Sequence, residues 1–480
     1  MVLFPFMAQG HIIPCLALAL QLEQKTNCRI IIVNTPLNIR NIRSSLPPNT
    51  SIRLKELPFT STDHGLPPDS ENTDVLPYPL IMRLLDASKT LKQSFNKFVV
   101  DLTKQQDGNP PVCIIADMFL GWTVEIAKEL GIFHSIFNTG GAYGTAIYYS
   151  LWIHLPHCKT TSDEFLLPDF PEASVIHRTQ LANHLSNADG SDSWSIFNQS
   201  VLPLWFKSDG IIFNTIEGLE KTGLEYFRRN MTGRPVWCIG PVRCSSIRPQ
   251  KKSGIGSDQC INWLDTHPPA SVLFVSFGSQ NSISCQQMME LAIGLEKSKK
   301  SFIWVIRPPL EFYLSEEFQS KWLPKGFEDR IKEGNRGLLV HKWAPQLEIL
   351  SHRSTAAFLS HCGWNSTLES LIHGVPIIAW PLAGEQHYNS KFLVEVAGVC
   401  VEVARGNVSD IKHEDVVRVI ELVMGGTEKG EDMRKKVTKV AEMIEDAIRD
   451  TDEGLKGSSV KALDKFIDAV LTKRCNSDYS

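Results

Sequence analysis

An α/β fold of two parallel-sheet domains is the architecture this chain predicts. Its 480 residues exceed one ordinary domain. Short runs that are apolar throughout alternate with helical stretches, the pattern of strands buried on both faces of a parallel sheet. The alternation breaks once, at Cys244–Asp258 (CSSIRPQKKSGIGSD), and then resumes. That stretch is rich in Ser, Gly, Lys and Pro and has no periodicity, so it reads as a linker.

In the first half, Val2–Phe6 reads as a strand, broken by Ala8-Gln9-Gly10-His11. Ile12 to Gln24 has helical composition, and Pro14 near its first turn costs little there. Arg29–Asn34 (RIIIVN) is β-branched and apolar in its middle, as a doubly buried strand requires. Val112–Ala116, Ser135–Phe137, Asp209–Phe213 and Val236–Ile239 are similar. Ile81–Leu102 and Trp122–Leu130 read as helices between them. Past the linker the strand candidates are Ser271–Phe277, Phe302–Ile306, Gly337–Val340, Ala356–Leu359 and Val375–Ala379. Gln286–Lys297 and Ser366–His373 carry helical patterns. The tail is helical too, and Val460, Leu463, Phe466, Ile467, Val470 and Leu471 share one face that suits packing. The expected domains are 1–243, rejoined by a C-terminal helix at 455–475, the linker 244–258, and 259–454.

Composition narrows the function classes. The chain is 42% hydrophobic and 21% charged, which suits a packed core rather than a disordered chain. A net charge of −4 leaves no basic excess for nucleic acid. The eleven cysteines include no Cys-x-x-Cys pair, and reduced thiols in a cytoplasmic enzyme are expected. The apolar run Ile12–Leu20 is too short to span a bilayer, and no basic segment precedes it as in a signal peptide. The glycine fingerprints of nicotinamide and P-loop enzymes are absent, as are the zinc-protease and serine-hydrolase motifs.

The chemistry concentrates in Ser360-His361-Cys362-Gly363-Trp364-Asn365-Ser366-Thr367, after an apolar strand and at the opening of a helix. A helix N-terminus offers unpaired N–H groups and positive partial charge, a site for a diphosphate. Taken alone, the same residues also read as an ordinary capped helix with a core histidine. Upstream, Trp343 has a face to stack on a planar base, and Gln346 an amide for a base edge. Glu369 falls on the face of Ser366, placed to accept from ribose hydroxyls, and Glu385-Gln386 suit sugar hydroxyls. Together these groups describe a nucleotide sugar.

Residues Trp343 to Gln386 resemble, in register over 44 residues, the signature box of plant family-1 UDP-dependent glycosyltransferases. Gln9-Gly10-His11 and Phe277-Gly278-Ser279 extend the resemblance along nearly the whole chain. Members of that family usually carry several residues before the first strand, whereas here Met1 almost opens it. The resemblance implies the GT-B architecture, two Rossmann-like domains facing across a cleft. It implies that Trp343, the Ala344 backbone and Gln346 hold uracil, and that Glu369 holds the ribose. His361, Asn365, Ser366 and Ser279 would hold the diphosphate. Trp364, Glu385, Gln386 and Thr139 would meet the sugar. The terminal Gln points to UDP-glucose as co-substrate, with no metal and no further cofactor. Glu385 stands where Asp is commoner, which leaves sugar choice open.

Catalysis is expected from His11 as general base. Asp117, ending a neighbouring strand, would accept from its other ring nitrogen and fix the tautomer. On their own these two also read as a turn histidine and a capping aspartate. Phe119, Trp122, Tyr143, Trp194 and Phe197, with Trp205, are candidates for an aromatic acceptor pocket, and plain core packing accounts for each equally well. The expected enzyme is a monomer transferring glucose to a hydroxyl of a lipophilic small molecule such as a flavonoid, another phenol or a terpenoid. The alternatives are glucose-ester formation on a carboxylate and a catalytically inactive UDP-sugar-binding protein on the same scaffold.

Overall fold

The computed structural model describes residues 1–242, 256–312, 316–341, 343–406, 409–451 and 454–477, without the side chains of 474–477. Most of the expected linker 244–258 therefore lies outside the described residues. The chain divides into two compact units. The first comprises Met1–Val175, Asn187–Gln250 and Asp446–Ser480, and the second Ile176–Ser186 and Lys251–Glu445. Ile176–Ser186, inside the range read from the sequence as the first domain, groups with the second unit.

The first unit holds a seven-stranded parallel sheet. Its strands are β1 (Val2–Phe4), β2 (Ile31–Asn34), β3 (Arg53–Glu56), β4 (Cys113–Asp117), β5 (Phe133–Asn138), β6 (Gly210–Phe213) and β7 (Val236–Cys238), in the order β3-β2-β1-β4-β5-β6-β7. The order reverses between β1 and β4, where Phe4 lies level with Ala116. Each face of the sheet carries its own core. One face packs Leu3, Ile32 and Ile115 with Leu463, Phe466, Ile467 and Val470 of the terminal helix Ser458–Ser477. Phe466 meets Trp237 edge-on at 5.1 Å, and Ser459 Oγ donates to the Gly240 carbonyl at 2.6 Å. The other face packs Val2, Phe4, Ile114 and Ala116 with Phe95, Trp122 and Phe197.

The second unit holds a six-stranded parallel sheet. Its strands are β8 (Val272–Ser276), β9 (Ser301–Ile306), β10 (Gly337–His341), β11 (Thr355–Ser360), β12 (Ile377–Ala379) and β13 (Cys400–Glu402), in the order β10-β9-β8-β11-β12-β13. Here the order reverses between β8 and β11, where Ser276 is level with Ser360. In open parallel sheets ligands bind beyond the carboxyl ends of the strands at such a reversal. The two reversals thus mark where to look for a site in each unit.

The expected strands all form, with ends shifted by at most two residues. The expected single helix over Ile81–Leu102 is two, Ile81–Ser88 and Leu91–Gln105. Helix Ala142–His154 is buried nearly all round and so lacks an amphipathic stripe to announce it. Strand β3 (RLKE) is a polar, mostly exposed edge without the apolar run that marked the others. No helix among the described residues is long and apolar enough to cross a membrane.

Candidate active site

In the first unit, β1 ends at Phe4 and the chain turns through Phe6, whose carbonyl accepts from Ala8 N–H at 2.8 Å. Helix Gln9–Lys25 starts there, so His11 stands in its first turn beside the reversal. Asp117 is the last residue of β4, on the other side of the same reversal. His11 Nδ1 and Asp117 Oδ2 are 2.7 Å apart. Asp117 Oδ1 accepts from Phe119 N–H at 3.0 Å, which fixes the carboxylate plane. The carboxylate is 2% exposed and the imidazole 19%, so the acid is sealed and the base reaches outward. With Nδ1–H donated to the carboxylate, the basic lone pair lies on Nε2. Phe6 and Phe119 flank the imidazole, with ring centroids 5.8 and 5.5 Å away. Thr139 follows β5, the next strand over, and its Oγ1 lies 3.5 Å from His11 Nδ1.

The aromatic residues proposed for an acceptor pocket divide. Phe119 and Trp194 keep partial exposure. Trp122 packs edge-on against Phe4 and Phe95 and is buried. Tyr143 is buried and donates to the Ala173 carbonyl. Phe197 is buried, and Trp205 is buried with its Nε1 donating to the Met118 carbonyl at 2.7 Å. Phe6 was not singled out from the sequence, since a Phe just past a strand carries no signal of its own.

In the second unit, β11 runs into Ser360-His361-Cys362-Gly363, and helix Trp364–Ile372 follows. No side chain caps this helix, and its first turn contains no acidic residue. The positive end of the helix dipole at this turn favours an anion. Cys362 takes a left-handed conformation at φ +62°, uncommon outside glycine. The turn is pinned by Cys362 N–H donating to Ser360 Oγ at 3.1 Å and by Asn389 Nδ2 donating to the Cys362 carbonyl at 3.0 Å. Asn389 went unnoticed in the sequence.

His361 is buried between two glycines. A Cβ on Gly278 or on Gly363 would come within 2.5 Å of His361 Nε2, and Gly278 also has φ +76°. Burial, reinforced by the charge of Arg307, pushes the imidazole pKa down to about 4, so it is neutral near pH 7. Its Nδ1 forms no hydrogen bond in the structure. Ser279 follows Gly278 beyond β8, facing the same reversal.

The remaining residues of the box are near one another. Gln346 Nε2 donates to Glu369 Oε2 at 2.6 Å and to Ser366 Oγ at 3.0 Å. Trp343 and Asn365 are half-buried, and Ala344 is buried. Gln386 Oε1 accepts from the N–H groups of Leu382 and Ala383, both at 3.0 Å, leaving its amide N–H groups to donate. Glu385 precedes it as the cap residue of helix Gln386–Lys391. The Trp364 ring is buried and meets Phe392 edge-on at 6.4 Å, so it supports the helix from beneath.

Comparison with known proteins agrees with this geometry. The profile of the family described as UDP-glucoronosyl and UDP-glucosyl transferase matches residues 241–440. UDP-glycosyltransferase 92A1 of Arabidopsis thaliana is 50% identical over 98% of this chain and 97% of its own. Crocetin glucosyltransferase 3 of Crocus sativus is 48% identical over 90% of this chain and 91% of its own. The solved structure of Phytolacca americana UGT2 with UDP-2fluoro-glucose and pterostilbene superposes with a TM-score of 0.76. It is 30% identical and covers 98% of this chain and 99% of that one.

Proposed function

The chain belongs to the plant family-1 UDP-glycosyltransferases, enzymes of GT-B fold that transfer sugar from a UDP-sugar to small molecules, and on that premise we propose that it is an inverting glucosyltransferase acting on a hydroxyl of a lipophilic acceptor. The observation that carries the catalytic part is the 2.7 Å contact between His11 Nδ1 and the sealed carboxylate of Asp117.

In this reading the acceptor hydroxyl gives its proton to His11 Nε2. Its oxygen then forms a bond to the anomeric carbon while the bond from that carbon to the diphosphate oxygen breaks. A single displacement through an oxocarbenium-like transition state turns an α-linked donor into a β-glycoside and releases UDP. Asp117 stabilises the imidazolium that forms and holds the ring in the productive tautomer. The uncapped helix N-terminus, Ser279, Asn365, Ser366 and neutral His361 receive the diphosphate, and preorganised donors there stabilise the charge that develops on departure. Trp343 and Gln346 hold uracil with the Ala344 backbone, and Glu369 takes the ribose. Glu385, Gln386 and Thr139 serve the sugar, and Trp364 contributes through its backbone. No step here calls for a metal. Phe119 and Trp194, which retain exposure, are the aromatic residues we assign to the acceptor.

The test is turnover. The chain is incubated with UDP-glucose and a panel of phenols and terpenoid alcohols, UDP release is followed, and product is analysed by mass spectrometry. Formation of β-glucosides, seen in the anomeric proton coupling, is the expected result. Absence of UDP release with every acceptor and every UDP-sugar would overturn the proposal.

A further inference from the structure

We propose that Arg307 supplies the formal positive charge for the donor's diphosphate. The inference rests on the donor-site reading of the second unit and adds to it a residue outside the signature box.

The groups so far given to the diphosphate are neutral: two serines, an asparagine, backbone N–H groups and a histidine held neutral by burial. The diphosphate of a UDP-sugar carries two negative charges and gains another as it departs. A partly buried site of hydroxyls and amides handles such charge poorly without a cation nearby.

Arg307 is placed to be that cation. Strands β8 and β9 are adjacent and parallel, with Val272 level with Ser301 and Val275 level with Trp304. Arg307 directly follows β9 and Gly278 lies two residues past the end of β8, so both stand at the carboxyl edge where β9 meets β8. Gly278 and Arg307 line one small cleft there, together with Phe277, Asn281, Ser282 and Trp304. Gly278 is in turn packed on the His361 ring. Arg307, Gly278 and His361 thus form a row across the end of the sheet, with Ser279 following Gly278. The Arg307 charge acts on the buried imidazole, so it lies within electrostatic reach of the turn that would hold the phosphates. Its side chain is half-buried, where a charge is screened less than on an open surface. An arginine fork also matches phosphate oxygens two at a time.

Dissociation constants for UDP and for uridine, measured on the full chain by calorimetry at low and high salt, test this directly. Arg307→Gln should weaken UDP binding roughly tenfold to a hundredfold, as expected for a lost hydrogen-bonded charge. Uridine binding should stay unchanged, and the salt dependence of UDP binding should diminish. Arg307→Lys keeps the charge and should recover most of the UDP affinity, which also serves if the Gln variant fails to fold. Equal losses for UDP and uridine, no loss at all, or a Lys variant as weak as Gln would overturn the assignment. If the unaltered chain bound no UDP, the donor-site reading itself would fall, and that outcome is distinct from a UDP-binding chain indifferent to Arg307.

Discussion

The two sheet reversals occupy equivalent places in their units but are furnished for opposite tasks. At the β1/β4 reversal a titratable pair is already assembled, His11 on a sealed Asp117, with aromatic rings around it. At the β8/β11 reversal the titratable group, His361, is silenced by burial, and the chemistry falls to glycine, backbone N–H and a helix end. A topological reversal supplies an edge where loops diverge. The residues after each strand decide whether that edge moves a proton or holds an anion. The units differ in readiness as well. The Asp117 carboxylate is already committed to His11, whereas Gln346 is bonded to Ser366 and Glu369, bonds that the proposed nucleoside would have to displace.

The sharpest way to break this contrast is to remove the base. His11→Ala should lower kcat by about 10²–10⁴ while UDP affinity stays within error. Asp117→Asn should lower kcat by a similar order, because the amide favours the wrong tautomer. If kcat is retained on a hydroxyl acceptor, or if UDP binding is lost with it, the division of labour between the units is wrong.

Next in size is the backbone of the second reversal. Gly278→Ala places a Cβ 2.5 Å from His361 Nε2 at a φ of +76°. Strain of this kind costs on the order of 1–3 kcal/mol. The second unit should lose that stability in urea unfolding, and UDP should bind more weakly, with the His11 region untouched. An unchanged midpoint and unchanged UDP affinity would show that the glycine is not required there.

Much of this contrast was legible in the sequence because it rests on strands and the residues just after them. Doubly buried strands write themselves as unbroken apolar runs, so their ends, and with them His11, Asp117, Ser279 and His361, could be placed. Positions whose role depends on a partner far along the chain could not. Asn389 matters through a bond to a carbonyl 27 residues earlier, and the proposed role of Arg307 through the neighbouring strand that ends near Gly278. The acceptor aromatics divide on burial: Phe119 and Trp194 keep partial exposure while Trp122, Tyr143, Phe197 and Trp205 are buried, a difference that composition does not carry.

A smaller effect bears on the bonded trio of the donor unit. Gln346→Ala removes the proposed uracil partner and also the 2.6 Å restraint on Glu369. UDP affinity should fall about threefold to tenfold, in keeping with the loss of a neutral hydrogen bond worth about 1 kcal/mol. Calorimetry with UDP reads this, and kcat at saturating donor should change little. A kcat loss matching that of His11→Ala would mean that Gln346 acts on the chemistry.

Acid stability gives the finest discrimination between the units. In the second unit, burial drives His361 to about 4 and His387 to about 3, and neither nitrogen of the His387 ring has a hydrogen-bond partner in the structure. Both folded values lie below the ordinary 6.5. Their stability contribution is therefore complete above about pH 6.5 and lost as pH falls, because the unfolded chain takes up protons that the native state refuses. Each such proton contributes up to about 1.4 kcal/mol per pH unit. In the first unit burial holds His134 at about 3. It also has Glu220, which burial raises from 4.5 to about 7. That shift has the opposite sign: Glu220 contributes stability below 4.5 that is lost as pH rises through 7, so it gains in the same window where His134 loses. Between pH 6.5 and 4.5 these two nearly cancel in the first unit, whereas His361 and His387 act in the same direction in the second. Hydrogen exchange resolved by peptide should show the second unit opening first as pH is lowered. His387→Phe, replacing an unsatisfied buried imidazole by an apolar ring, should remove one proton from the pH slope of the second unit only. Equal acid sensitivity in both units, or a slope indifferent to that substitution, would show that the buried imidazoles do not set the difference.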